Sequence, residues 1–180
     1  MLPNHVKLED VDIWFNDESR IGQQGSLTRT WARKGTRPRL IKQQEFLSTY
    51  IFGAVCPMLD AGAALILPLS NTDGMNALLQ EILRKVPKNR HAVLVVDRAP
   101  WHRSKQLVVP ANISLLYLPP YAPELNPSEQ VWEFLKQNHL SNCFFDSYDS
   151  LLDACCNAWN ALTGEAGRIK SLCSREWAVL

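Results

Sequence analysis

A chain of 180 residues with 46% hydrophobic and 21% charged residues suits one globular domain with a core large enough to fold alone. A net charge of +1 gives no global pull on nucleic acid. No apolar run is long enough to span a bilayer and no secretory signal is present, so a cytoplasmic protein without membrane contact is expected.

The first segment, "VDIWFND" (11–17), alternates as a strand, with Val11, Ile13 and Phe15 on one face and Trp14 on the other. "TRTWARKG" (28–35) reads as a short accessory strand closed by Gly35. Around it, from Arg29 to Lys42, run six basic residues and no acidic one. Such a run can neutralise phosphates in a salt-dependent way, or form a solvated loop. "EFLSTYIFGAV" (45–55) and "GAALILPL" (62–69) are β-rich, and Pro57, Asp60 and Gly62 between them make a hairpin.

The period then changes. After the cap candidates Asn71, Thr72 and Asp73, apolar residues from Met75 to Val86 recur at helical spacing until Pro87 stops them. "HAVLVV" (91–96) is an unbroken apolar run, as for a strand buried on both faces, and it ends at Asp97. A short helical or irregular piece (102–108) leads to a second buried strand, "ISLLYL" (113–118). "PPYAPELNPSEQVWEFLK" then enters a helix over about 127–139, and a second helix over about 147–163 aligns Leu151, Cys155, Trp159 and Leu162. A basic, helix-like tail closes the chain. This order predicts an α/β fold, a mixed sheet with helices on its faces. If strand 11–17 lies beside and parallel to strand 91–97, their carboxyl ends border a crevice of the kind where open α/β sheets bind ligands.

Five cysteines (Cys56, Cys143, Cys155, Cys156 and Cys173) are odd in number and include no C-x-x-C pair. That argues against a disulfide framework and a zinc ribbon, and for small apolar residues in a reducing compartment. His139 and Cys143, at i, i+4, do not alone make a metal site.

Asp17 and Asp97 stand at the two strand ends, and Glu129 in the first turn of the helix after "LNPSE". Each has a structural reading: a turn for Asp17, a strand-end cap for Asp97, and for Glu129 the N3 position of a capping box with Asn126 as N-cap and Pro127 as N1. Jointly they suit another purpose. Carboxylates converging without a counterion repel one another and raise a pKa. Hard divalent cations relieve that repulsion, and Mg²⁺ takes only one or two protein carboxylates. Two ions about 3.5–4 Å apart serve phosphoryl transfer. Glu18 falls on the opposite strand face from Asp17 and is left out of this group.

"FNDES" (15–19), "LVVDRAPWHRSKQL" (94–107) and "LLYLPPYAPELNPSEQVWEFLK" (115–136) closely resemble the three acidic blocks of DDE transposases. The resemblance is to the Tc/mariner-like superfamily, most closely its bacterial insertion-sequence six-thirty family. "TRTWARKGTRP", "IFGAV" and "RIKSLCSREWA" look like that family's other segments, so it covers essentially the whole chain. It implies a ribonuclease-H-like five-stranded sheet and a catalytic, metal-binding triad of Asp17, Asp97 and Glu129. It also implies Mg²⁺ or Mn²⁺ as a pair of ions, hydrolysis at transposon ends, then attack of the freed 3′-hydroxyl on target DNA. No covalent protein–DNA intermediate is needed.

The implied partners are transposon terminal inverted repeats and target DNA, bound by a homodimer in association with the nucleoid. Arg29, Arg33, Lys34 and Arg37 are candidate DNA contacts from the basic run. Arg98, His102, Arg103 and Lys105 are candidates from the segment after the second acid, where His102 can alternatively brace the site. Two features depart from the family. Arg98 stands where Asn is usual, and the interval from Asp97 to Glu129 is slightly short for the superfamily. About ten residues precede the first strand. The expectation is therefore a single catalytic domain over 1–180, without the family's helix-turn-helix reader, which a separate reading frame can supply. Two other readings stay open: a truncated regulator that binds DNA or full transposase without cutting, and an unrelated phosphotransfer domain using Asp17, Glu18 and Asp97. Trp132, Trp159 and Trp177 are expected in the core. Glu129 is expected to cap its helix without metal and to ligate with it.

Overall fold

A computed structural model describes residues 2–4, 6–24, 31–36, 39, 43–120 and 122–174. Among them, five strands run as β1 (Val11–Gly22), β2 (Ser48–Cys56), β3 (Ala61–Leu67), β4 (His91–Val96) and β5 (Ile113–Tyr117). They form one mixed sheet in the order β3-β2-β1-β4-β5. β1, β2 and β3 are an antiparallel meander, while β4 lies parallel to both β1 and β5. The expected pairing of the first strand with the strand at 91–96 is therefore present.

Alternation along β1 divides the core. Trp14 goes to one face with Phe52, Leu94 and the inner stripe of α1 (Thr72–Lys85), whose Met75, Leu78, Leu79 and Ile82 are fully buried. Phe15 goes to the other face, under α2 (Ser128–Leu135), α3 (Tyr148–Gly164) and α4 (Arg168–Cys173). All four residues of the stripe expected on α3, Leu151, Cys155, Trp159 and Leu162, are buried there. Asn71 caps α1 by accepting the Gly74 N–H at 2.8 Å, and Val86 ends it before Pro87. Cys56, Cys155 and Cys173 are buried, Cys143 and Cys156 exposed, and all are free thiols. No helix among the described residues is long and apolar enough to cross a membrane.

Several boundaries differ from expectation. β1 continues five residues past Asp17, because β2 pairs with it from Phe15 to Gly22 after β4 has ended. Residues 31–36 carry no strand; they turn at Lys34–Gly35, with Gly35 at φ 84°, and residues 28–30 lie outside the described residues. The piece near 102–108 is a single 3-10 turn, Pro100–Arg103. The helix expected over 127–139 is α-helical only to Leu135 and closes in one wide π turn, Lys136–Leu140. Trp177 lies outside the described residues.

At the start of β1, Asp12 is fully buried and takes a two-pronged contact from Arg90, Nε to Oδ2 and Nη2 to Oδ1, each at 2.7 Å. Arg90 directly precedes β4, so this fork pins the parallel β1–β4 register at the end away from the acidic cleft. Arg90→Ala leaves Asp12 buried without its counterion. We expect about 3 kcal/mol of lost stability in urea denaturation.

Candidate active site

Beyond the last parallel pair, Phe15 with Val95, β1 and β4 part. β1 runs on beside β2, with Asp17 opposite Gly53, while Asp97 leaves the sheet one residue after β4 ends. Asp17 is thus a mid-strand residue rather than a strand end, yet it still comes level with Asp97. α2 crosses above and brings Glu129. The three acids, with Arg98, Asn126 and the prolines 119, 120 and 123, line one open cleft of about 480 Å³. A second hollow of about 210 Å³, between Arg20, Phe46 and Lys136, has no acidic side chain in its wall.

Each aspartate is held by defined donors. Asp17 Oδ1 accepts the Glu18 N–H and Oδ2 accepts Trp132 Nε1–H, both at 2.9 Å. Trp132 follows Glu129 by three residues, so both project from one side of α2. Trp132 is a core residue as expected, 4% exposed, but its polar edge is spent on Asp17. Gly53 makes room for it: a Cβ there would lie 2.5 Å from the Trp132 ring. In Gly53→Ala we expect a displaced indole, a broken Trp132–Asp17 bond and a loss of about 1–3 kcal/mol. Urea denaturation measures the loss, and the Trp132 indole N–H resonance reports the bond.

Asn126 sets the helix start. Its Oδ1 accepts from Ser128 N (3.2 Å) and Ser128 Oγ (2.7 Å), and its Nδ2 donates to the Asn16 carbonyl of β1 at 2.9 Å. The same amide that caps α2 therefore ties it to the strand position next to Asp17. The other half of the expected capping box is absent. The Asn126 N–H goes to the Pro123 carbonyl at 2.8 Å, and no donor among the described residues reaches the Glu129 carboxylate. Glu129 faces the cleft instead of folding back.

Asp97 Oδ1 accepts the Ala99 N–H and the His102 Nδ1–H, each at 2.8 Å. His102 is buried, which removes it as a DNA contact. Its Nε2 lies 3.3 Å from Glu18 Oε1, a charge contact rather than a well-aligned hydrogen bond, and the same oxygen accepts Trp101 Nε1–H at 3.1 Å. Burial alone lowers the His102 pKa, but Glu18 and then Asp97 outweigh it and hold the imidazole above its ordinary value. Sequence alternation correctly removes Glu18 from the cleft face. It gives no sign that Glu18 meets His102 beneath the site.

Electrostatically the cleft carries an unmet demand for positive charge. Burial, with repulsion from Glu129 and Glu18, raises Asp17 from 3.8 to about 7 despite the two hydrogen bonds that favour its ionised form. Arg98 lines the same cleft but makes no ion pair with Asp97; its Nε donates to the Leu118 carbonyl at 3.1 Å. Among the described residues no three acidic, histidine or cysteine side chains form a ready-made cage for a metal ion. Open carboxylates on separate elements nonetheless fit a hard cation that keeps much of its water.

Of the basic candidates, Arg33, Lys34, Arg98, Arg103 and Lys105 are exposed, as is Arg39; Arg29, Arg37 and Lys42 lie outside the described residues. His139 and Cys143 are linked by a thiol donating to the His139 carbonyl and, among the described residues, belong to no cluster of three metal-ligating side chains.

A parallel β1–β4 pair inside a five-stranded mixed sheet, with acids at its open end, defines an α/β domain of the ribonuclease-H-like kind. The fold is similar to that of the Mos1 transposase. The chain matches the Mos1 mariner paired-end complex with Mn at a TM-score of 0.65 and 16% identity over 88% of this chain. It matches the Mos1 paired-end complex with left transposon end at 0.64 and 17% over 90%. It spans about half the length of those chains, 50% and 51%. Residues 12–152 match the DDE superfamily endonuclease family, and the chain belongs to that family. A protein of Sinorhizobium fredii described as uncharacterized, y4pE/y4sA, is 50% identical over 129 residues, 72% of this chain and 96% of that protein.

Proposed function

We propose that this chain is the catalytic domain of a DNA transposase of the bacterial insertion-sequence six-thirty family, cutting at transposon ends and joining the freed 3′-hydroxyl to target DNA. The observation that carries this reading is the meeting of Asp17, Asp97 and Glu129, from three separate elements, in one cleft of a DDE-family domain. Mos1 complexes have been solved with Mn and with Mg, which supports the same metals here, as a pair of ions held by these carboxylates. A divalent cation held by these carboxylates would supply Lewis acidity at the attacking and leaving oxygens.

The protein's own part is placement. Trp132 and the Glu18 N–H orient Asp17, and Asn126 fixes the helix that carries Glu129. Arg98, Arg103 and Lys105, with Arg33 and Lys34, are exposed cations suited to phosphates along the DNA. A homodimer on paired ends completes the proposal.

The test uses terminal-repeat DNA flanking the chain's own reading frame, a plasmid target, and Mg²⁺ or Mn²⁺. End cleavage and joined products that require the divalent ion are expected. DNA binding without cleavage in any condition would instead establish a regulatory derivative.

A further inference from the structure

Below the cleft, on the α1 side of the sheet, lies a buried polar chain that the three acids do not account for. His102 has no exposed side-chain surface, Glu18 only 8%, while Asp97 above them is 55% exposed. Burying an imidazole costs solvation free energy unless it is paired, and here its two ring nitrogens face Asp97 and Glu18 oxygens. Asp97, for its part, is an exposed side chain on a segment that has left the sheet. Its carboxylate would turn freely without fixed donors.

We propose that His102 is a positioning residue for Asp97, itself held in place by Glu18 and Trp101, so that Asp97 keeps Oδ1 turned inward and Oδ2 open to the cleft. The geometry is consistent along the whole chain. Among the described residues both donors to the Asp97 side chain, Ala99 N–H and His102 Nδ1–H, converge on Oδ1. A carboxylate accepts only, so Nδ1 is the donor. The turn bearing His102 is fixed twice, by the His102 N–H to the Ala99 carbonyl at 3.1 Å and by Tyr117 Oη–H to the His102 carbonyl at 2.7 Å. Behind the ring, Glu18 Oε1 lies 3.3 Å from Nε2 and is anchored by Trp101 Nε1–H. Trp101 in turn packs at 6.5 Å between centroids against Phe52 of the core. The strand residue after the first acid thereby helps set the orientation of the second acid from the opposite face of the sheet. Outer partners of this kind tune affinity by fixing a ligand's direction.

The inference rests on the metal reading of the cleft, and the experiment separates the two. Mn²⁺ is titrated into the whole chain without DNA and free ion is read by electron paramagnetic resonance, with thermal midpoints measured alongside. His102→Asn puts an amide donor near the Nδ1 position and keeps the Asp97 contact; His102→Gln puts it near Nε2 and loses that contact. We expect His102→Gln to weaken Mn²⁺ binding about 10-fold or more, and His102→Asn to hold most of the wild-type affinity. Glu18→Gln, the mildest change, keeps an acceptor for Trp101 and is expected to give a smaller, several-fold loss in a folded protein. Wild-type affinity in His102→Gln, or losses in both histidine variants that merely track their thermal midpoints, would overturn the positioning role. Should neither histidine variant fold, a folded Glu18→Gln with unchanged affinity overturns it as well. A wild-type chain that binds no Mn²⁺ overturns the metal reading, and this inference with it.

Discussion

On the proposed transposase reading, Glu129→Gln is expected to leave a folded protein without DNA cleavage or joining. Among the described residues no donor reaches the Glu129 carboxylate, and its helix is capped by Asn126, so losing its charge removes no contact those residues make. The amide keeps the size of the side chain and removes one negative charge from the cleft. Removing one charge-stabilising group from a preorganised site lowers rates by about 100–1000-fold, and Asp97→Asn should fall in the same range. Single-turnover cleavage of end DNA, with thermal midpoints for both variants, checks the expectation. Substantial cleavage by a folded Glu129→Gln protein would mean that the chemistry needs only the two aspartates, and the three-acid site would have to be abandoned. Had the capping box formed, the same substitution would have mixed helix stability with catalysis. Its absence makes the variant a clean one.

The sequence exposed the cleft and hid its supports, for physical reasons. Strand period, the long apolar run at 91–96 and the stop at Pro87 are local signals, and the elements they mark are present. Asp97 and Glu129 could be placed because each follows directly from such a boundary. Asp17 reads as a strand end in the sequence because the periodic apolar residues stop at Phe15. β1 in fact continues because β2 returns to pair with it, through a connection of some twenty-five residues whose composition gives no register. A pairing partner so distant in the chain leaves no mark on the strand it extends.

The donors behind the acids were illegible for a related reason. Trp132 looks like an ordinary core aromatic, and it is one. Only the bare backbone at Gly53 lets its indole lie where Nε1 meets Asp17, and that juxtaposition joins α2 to β2 across the fold. Glu18 and His102 are eighty-four positions apart and meet through the parallel β1–β4 register. Alternation says which face Glu18 takes, not what waits there. The capping box failed differently: S/T/N-x-x-E is a local pattern, but Pro123 supplies a nearer acceptor for the Asn126 N–H, and the glutamate is released.

The second large effect is a dependence of stability on pH that divalent metal should abolish. In the metal-free fold Asp17 is raised from 3.8 to about 7, chiefly by burial and then by repulsion from its acidic neighbours. Between those values the folded protein holds a proton that the unfolded chain has released. Stability from this group is thus fully present below about pH 4, falls as pH rises through the window, and levels off above about pH 7. At about 1.4 kcal/mol per pH unit, the ceiling on the loss is on the order of 4 kcal/mol. Asp17→Asn cannot titrate, so its unfolding free energy relative to wild type should climb steadily from pH 4 to pH 7 in EDTA. Saturating Mg²⁺ or Mn²⁺ favours the ionised carboxylate in the folded state. It should therefore restore wild-type stability at pH 7.5 while leaving Asp17→Asn much less changed. Urea denaturation series at each pH, with and without metal, give both comparisons. Parallel pH curves for wild type and Asp17→Asn would show that Asp17 titrates alike in the folded and unfolded chains, and that the cleft carries no stored repulsion for a cation to relieve.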